Sequence, residues 1–264
     1  MLTRADEYNT ITPQLRDDLR AAIDEAEEDA DARAILLTAE GPAFCAGYGL
    51  DWAIDYQSQE ESSERAWDSV TDLRLMSSFV DVYLKLWYAW KPTIAAVQGW
   101  CIAGGTDMVL CADIIVAGES AVFGYPPARA WGVPTTPMWV YRVGLEKAKR
   151  YLLTGDEILA PEAARIGLIL ETVPDDTLQE HGRELARRIA RLPLTQLVML
   201  KKLCNQVAEN MGIASTRTLG TLFDGIARHT QEGLEFVRHA EEVGFRQAVR
   251  GRDDPFGDYG SRSR

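Results

Sequence analysis

The apolar positions of this chain fall into short unbroken runs and into stripes of helical period. Leu15, Leu19, Ala22, Ile23 and Ala26 recur at three- and four-residue steps behind Thr12-Pro13, which reads as an N-cap followed by proline at the first helical position. Ala34-Ile35-Leu36-Leu37 is an apolar run of the kind a buried parallel strand shows. A turn-rich segment, GPAFCAGYG, follows it, and residues 56–65 are polar enough to read as a mobile surface segment. Trp67, Val70, Leu73, Met76, Val80, Tyr83 and Trp87 predict an amphipathic helix that ends before Pro92. Thr93–Val97 is strand-like, Gly99 to Gly105 reads as a loop, and Thr106–Cys111 begins a helix. Asp113–Ala117 and Ala121–Phe123 are short strand candidates, and from about Pro161 the pattern is mainly helical, with a break at Pro193. Strand, loop, helix and strand thus alternate through the middle of the chain, which predicts an α/β fold with a βαβ-type core. The expected layout is a core over residues 1–190 and a helical C-terminal subdomain over 191–264 packed on it.

Composition narrows the function. A chain of 264 residues, 46% hydrophobic and 26% charged, has the make-up of a globular protein. Its 28 basic and 40 acidic residues give a formal net charge of -12. Such a surface repels nucleic acid and anionic membranes, so an anionic ligand has to be held by a local basic cluster. The first ten residues carry no apolar run, so no signal peptide is expected. The uncharged stretch between Lys91 and Asp107 is too short and too broken by glycine to span a bilayer. Cys45, Cys101, Cys111 and Cys204 form no CxxC pair, which fits free thiols in a reducing cytoplasm. His181, His229 and His239 are scattered without metal-ligand spacing, so no metal is assigned.

Two glycine-bearing turns carry the candidate chemistry. Phe44-Cys45-Ala46-Gly47 follows a predicted strand, and Gly99-Trp100-Cys101-Ile102-Ala103-Gly104-Gly105 joins a strand to a helix. Turns of this kind leave backbone N–H groups free, and those of Gly104 and Gly105 lie at a helix start, where the dipole favours negative charge. A second N–H aimed from the first turn at the same point would complete an oxyanion hole. Glycine turns before helices mostly serve tight packing, so the turns alone leave that alternative open. Neither GxGxxG nor a Walker lysine is present.

AFCAG (Ala43–Gly47), KPTIAAVQGWCIAGG (Lys91–Gly105), CADIIVA (Cys111–Ala117), AVFGYP (Ala121–Pro126) and LTGDEILAPEAARIGLI (Leu153–Ile169) resemble, in order and spacing, the blocks of the enoyl-CoA hydratase/isomerase, or crotonase, family. The resemblance implies a crotonase-like spiral of short βαβ turns with a helical C-terminal region, assembled as a homotrimer or hexamer. It implies an acyl-CoA thioester as partner, with coenzyme A carried as part of the substrate and no separate cofactor. Ala46 and Gly104 match the positions taken here as the two oxyanion donors. A family hydratase uses two glutamates; Asp107 matches the first position with a shorter side chain, and Pro127 occupies the second. Asp107 is then the sole recognisable acid/base, and the helix dipole is expected to favour its ionised form. The first block commonly reads AGxD, whereas this chain has Ala46-Gly47-Tyr48-Gly49, with Asp51 two positions later. The chain begins at Leu2-Thr3-Arg4, where the family has completed a first strand or hairpin, so a mis-called start or an absent edge is expected.

Tyr48, Trp100, Gly105, Tyr125 and Arg129 are candidate substrate contacts around these turns. Arg4, Arg250 and Arg252 are candidate contacts for the phosphate or adenine side of CoA. Phe256, in RDDPFGDY, matches a family tail aromatic expected to cover the adenine of a neighbouring subunit. Cys45 has no histidine nearby in sequence to activate it and is not assigned as a nucleophile. The leading expectation is an enoyl-CoA hydratase-like lyase or isomerase. Its rivals are another reaction of the same family (isomerisation, decarboxylation, thioester or C–C hydrolysis) and an inactive acyl-CoA-binding scaffold.

Overall fold

Helix α1 (Pro13–Glu28) begins at the expected cap, where the Thr12 side chain accepts from the Leu15 amide at 3.2 Å, and it buries Leu15, Leu19 and Ile23. The computed structural model describes residues 1–49 and 67–259. The polar stretch 56–65 and Asp51 therefore lie outside the described residues.

The strands come in consecutive pairs. β1 (Ile35–Leu37) is followed at once by β2 (Ala43–Cys45), β3 (Thr93–Val97) by β4 (Trp100–Ile102), and β5 (Ile114–Gly118) by β6 (Val122–Gly124). β7 (Ile158–Leu159) and β8 (Glu171–Val173) follow. The first members of the pairs form one sheet with the order β1-β3-β5-β8, and the second members form another with the order β2-β4-β6-β7. All neighbours run parallel except β6 and β7. Each circuit of the chain thus adds one strand to each sheet before a helix returns it, which is the predicted spiral of βαβ turns.

Strands β2 and β4 lie where the sequence reads as turn and loop. Three residues are too few to show a period, and both strands lie within two residues of a glycine. The following helix, α3 (Gly104–Val109), begins two residues before the expected Thr106. Helix α2 (Ser69–Tyr88) is capped by Asp68, whose carboxylate accepts from the Val70 and Thr71 amides at 2.9 and 3.1 Å. Its inner face joins Phe44, Phe79, Tyr83, Met108, Ile115, Phe123 and Trp139 in one buried cluster between the sheets and helices.

After α4 (Met138–Leu152), α5 (Ala160–Ile166) and α6 (Leu178–Ile189), Pro193 breaks the chain as expected. Helices α7 (Leu194–Asn210), α8 (Ile213–Arg228), α9 (Gln231–Val243) and α10 (Phe245–Asp253) complete the described chain. The buried Lys201 ammonium ties α7 to the core, reaching the Leu86 carbonyl at 2.9 Å, the Lys91 carbonyl at 3.1 Å and the Asp113 carboxylate at 2.8 Å. Helix α8 packs along α2.

The tail after α10 is fastened by Arg129, and this corrects one sequence expectation. The Arg129 guanidinium grips both oxygens of Asp258 at 2.7 Å, Asp253 at 3.1 Å and the Thr154 carbonyl at 3.0 Å. Phe256 stacks on it with 3.9 Å to the ring centroid. Arg129 therefore holds the chain's own tail rather than a substrate, because its nitrogens are committed to Asp258, Asp253 and Thr154 and one face to Phe256, whose ring is otherwise half exposed. With side-chain exposures of 2% for Arg129 and Asp253 and 11% for Asp258, this is a buried ion cluster. Arg129→Ala would leave the part-buried Asp258 without its ion pair and Asp253 with Arg252 alone, and the expected loss is roughly 3–5 kcal/mol in urea unfolding. A loss below about 1 kcal/mol, the size of a surface pair, would contradict this account of the tail.

Candidate active site

Helix α3 starts so abruptly because two stretches of backbone meet there. A side chain at Gly105 would overlap the Cys45 carbonyl oxygen, so only glycine lets β2 and the start of α3 approach this closely. Gly47, at φ +94°, is equally constrained: an idealised Cβ on it would lie 2.9 Å from the Ala103 Cβ and 3.6 Å from the Gly104 nitrogen. The two turns singled out in the sequence are thus in contact.

The Gly104 amide is the first of α3 and has no intrahelical partner to reach; among the described residues nothing accepts from it. Gly104, Ala103, Ala46 and Tyr48 line a cavity of about 660 Å³. Ala46, however, is not an open donor. Its amide donates to the Tyr8 carbonyl at 3.1 Å, which corrects the expected pair. The reason is the N-terminal segment, which Asn9 pins against β2: its side chain donates to the Glu40 and Ala43 carbonyls at 2.8 Å each. One step along the turn the geometry differs. The Gly47 carbonyl accepts from Ile11 at 2.8 Å, and in that trans peptide the Tyr48 N–H points the opposite way, away from Ile11.

Asp107 is buried in α3 but does not line the cavity. One oxygen accepts from the Thr135 amide at 3.1 Å and the Thr135 hydroxyl at 2.9 Å, and the other faces the Thr136 hydroxyl at 3.4 Å. Burial lifts its carboxyl to about 7 against these hydrogen bonds, and the nearby Asp224 pushes the same way. The expected dipole-stabilised carboxylate is thereby corrected: desolvation outweighs the helix start. Pro127 does line the cavity, so no proton-transfer group stands at the second position.

Of the other candidates, Tyr48, Tyr125, Arg4 and Arg252 line the cavity. The Tyr125 hydroxyl donates to the Val133 carbonyl at 2.9 Å, and the Tyr48 hydroxyl accepts from Tyr83 at 3.0 Å. Burial raises both phenols well above their ordinary range. Arg4 bonds the Thr12 hydroxyl at 3.0 Å and pairs with Glu7, while Arg252 holds Asp253 at 2.7 and 2.9 Å. Trp100, Gly105 and Arg250 do not reach the cavity: the Trp100 ring packs on Tyr259 with centroids 6.0 Å apart, Gly105 is pressed on Cys45, and Arg250 is exposed. The chain's own α10 supplies Phe245, Arg246 and Val249 to the wall, where the sequence suggested a neighbour's tail. Cys45, pushed up to about 12 by burial, is no nucleophile.

Asp224 and Arg228 also line the cavity and were missed. Their one trace in the sequence is an acid and an arginine four residues apart in LFDGIARH, a spacing that most often marks an exposed helix face.

A family model described as enoyl-CoA hydratase/isomerase matches residues 1–242. The crystal structure of an enoyl-CoA hydratase from Mycobacterium smegmatis superposes with a TM-score of 0.92 at 41% identity, covering 98% of this chain and 91% of that one. An enoyl-CoA hydratase of Mycobacterium tuberculosis is 36% identical over 202 residues, 74% of this chain and 72% of its own length. The mitochondrial enoyl-CoA hydratase of Pongo abelii is 31% identical over 214 residues, 79% of this chain and 68% of its own.

The Asp107 carboxyl generates a stability prediction. In the unfolded chain it titrates near about 3.9, and in the fold near about 7, so the protonated form is favoured on folding. Its penalty is absent below about pH 4, grows as pH rises, and is complete above about pH 7. Asp107→Asn has no such penalty. Urea unfolding from pH 4 to 8 should show the variant gaining on the wild type by on the order of a few kcal/mol. A difference that does not change with pH would show that Asp107 is not held protonated.

Proposed function

The chain belongs to the enoyl-CoA hydratase/isomerase family, a family of acyl-CoA-transforming enzymes; from that premise we propose that it binds an acyl-CoA thioester in the Gly104 cavity and stabilises its enolate. The observation that carries this reading is the Gly104 N–H, left without an acceptor among the described residues at a helix start that opens on the cavity. Loss of the C2 proton puts negative charge on the thioester oxygen, and fixed N–H dipoles stabilise that charge without a metal or cofactor.

Leu75, Met76, Ile102, Trp131, Phe245 and Val249 give the acyl chain an apolar wall, and Arg4, Arg246 and Arg252 supply positive charge for the CoA phosphates. With Pro127 at the second carboxylate position, one proton relay serves the reaction, which favours a double-bond shift over addition of water. Asp107 then acts as a positioning residue, holding the Thr135-Thr136 loop behind the donor. The same reading makes the protein a cytoplasmic homotrimer or hexamer, consistent with four free cysteines.

The test is a panel of saturated, 2-enoyl, 3-enoyl and 3-hydroxyacyl-CoA esters in deuterated water, followed by mass spectrometry. The expected result is deuterium uptake and 3-enoyl to 2-enoyl conversion, with slow water addition. Binding without exchange or turnover of any ester would identify an inactive scaffold instead. Gly104→Ala places a methyl 2.8 Å from the Tyr48 ring, which displaces the donor turn; turnover should fall about 10²–10³-fold. Unchanged turnover would remove Gly104 from the mechanism. Pro127→Glu restores a second carboxylate and should raise hydration; no gain would mean that Pro127 is not what limits water addition.

A further inference from the structure

We propose that Asp224, on helix α8, is the proton-transfer group of the cavity, an inference that rests on the enolate reading above. Among the carboxylates that line the cavity, Asp6 and Glu7 are exposed, whereas Asp224 is buried, with 6% of its surface accessible. Of the three tyrosines that line the cavity, Tyr8 is exposed, while the Tyr125 and Tyr48 hydroxyls bond the Val133 carbonyl and the Tyr83 hydroxyl; Asp107 is turned to Thr135 and Thr136. Asp224 is therefore the one buried carboxylate among the described residues that faces the space a thioester would fill.

Its setting is built rather than incidental. Arg228 Nε donates to Asp224 Oδ2 at 3.1 Å, and Arg228 Nη2 donates to the two oxygens of Asp72, on α2, at 2.7 and 2.9 Å. The Val133 carbonyl, on the loop before Thr135, accepts from the Tyr125 hydroxyl, which lines the same cavity. Asp107, Tyr48 and Tyr125 all lie within electrostatic reach of Asp224. Burial raises the Asp224 carboxyl, Arg228 opposes that rise, and Asp72 adds to it. Such a balance suits a group that must both take and return a proton.

The step balances within the site. The C2–H bond breaks, and its proton forms the O–H bond of Asp224. The C2–H electron pair becomes the enolate double bond as the carbonyl pair moves to oxygen, beside the Gly104 N–H. While the proton sits on Asp224 it exchanges in part with solvent; in a 3-enoyl ester Asp224 then delivers a proton to C4, or back to C2 in the exchange reaction, and on delivery to C4 the double bond comes to rest between C2 and C3 as the thioester carbonyl re-forms. The carboxylate is regenerated without an oxidant, a reductant or water.

The test is C2 deuterium exchange of 3-enoyl-CoA by the wild type, Asp224→Asn, Asp224→Glu, Asp107→Asn and Asp72→Asn, alongside CoA-ester binding. Asp224→Asn should bind the ester as the wild type does but exchange about 10²–10⁴-fold more slowly. Asp224→Glu keeps a carboxylate and should recover part of that loss, which keeps the test open should the Asn variant fail to fold. Asp107→Asn should lower exchange less than Asp224→Asn does, because Asp107 holds a loop and does not take the proton. Asp72→Asn removes a negative charge near Asp224, so the acid limb of the pH profile should move to lower pH, a shift that a purely structural role would not give. Wild-type exchange rates in folded Asp224→Asn, or an unmoved acid limb in Asp72→Asn, would overturn the proposal. An inactive wild type would instead sink the enolate reading itself.

Discussion

The structure turns on one close approach of backbone to backbone. Where β2 leaves its sheet it is pressed against the start of α3, with Gly105 on the Cys45 carbonyl and Gly47 on Ala103. Side chains at those glycines would force the segments apart. Contact at this distance sets where α3 begins, and a helix beginning there exposes the Gly104 N–H at the cavity. The spiral serves this junction: β2 and β4 are neighbours in one sheet because each circuit of the chain lays one strand in each layer. Asn9 adds the N-terminal segment across the same turn, which commits the Ala46 amide to Tyr8.

Around that junction, burial divides the acids by what they face. Asp107 is nearer to Gly104 in sequence, yet the Thr135-Thr136 loop encloses it, and its carboxyl is lifted to about 7. Asp224 comes from a helix more than a hundred residues later and stands at the cavity, balanced between Arg228 and its own desolvation. Sequence proximity and access to the site have come apart. The same logic holds at the tail, where Arg129 is consumed by Asp253 and Asp258. That ion cluster instead anchors the chain just beyond α10, whose Phe245, Arg246 and Val249 close one side of the cavity.

The fold was legible wherever a pattern ran long enough to count. The stripe Leu15, Leu19, Ile23 and its Thr12 cap, the α2 stripe and the β3 run all appear where the sequence places them. Strands β2 and β4 were not, because three residues in a glycine-bearing turn show no period. At the site, the meeting of the two glycine turns was legible from Gly47, Gly104 and Gly105 together. Which amide stays open was not, because Tyr8 takes the Ala46 hydrogen through a contact between distant segments. Asp224 was hidden for the same reason: its pairing with Arg228 is local, but Arg228 is in turn held by Asp72 on the distant α2.

The central claim is that the backbone at Gly104 polarises a bound thioester oxygen. Difference infrared spectroscopy of a ¹³C-labelled thioester carbonyl, free and bound to the wild-type protein, reads that directly. Hydrogen bonds from fixed N–H groups lengthen the C=O bond as charge moves to oxygen, so the account predicts that the bound carbonyl absorbs at lower frequency than in water. A bound carbonyl with the same frequency as the free ester, or a higher one, would contradict it.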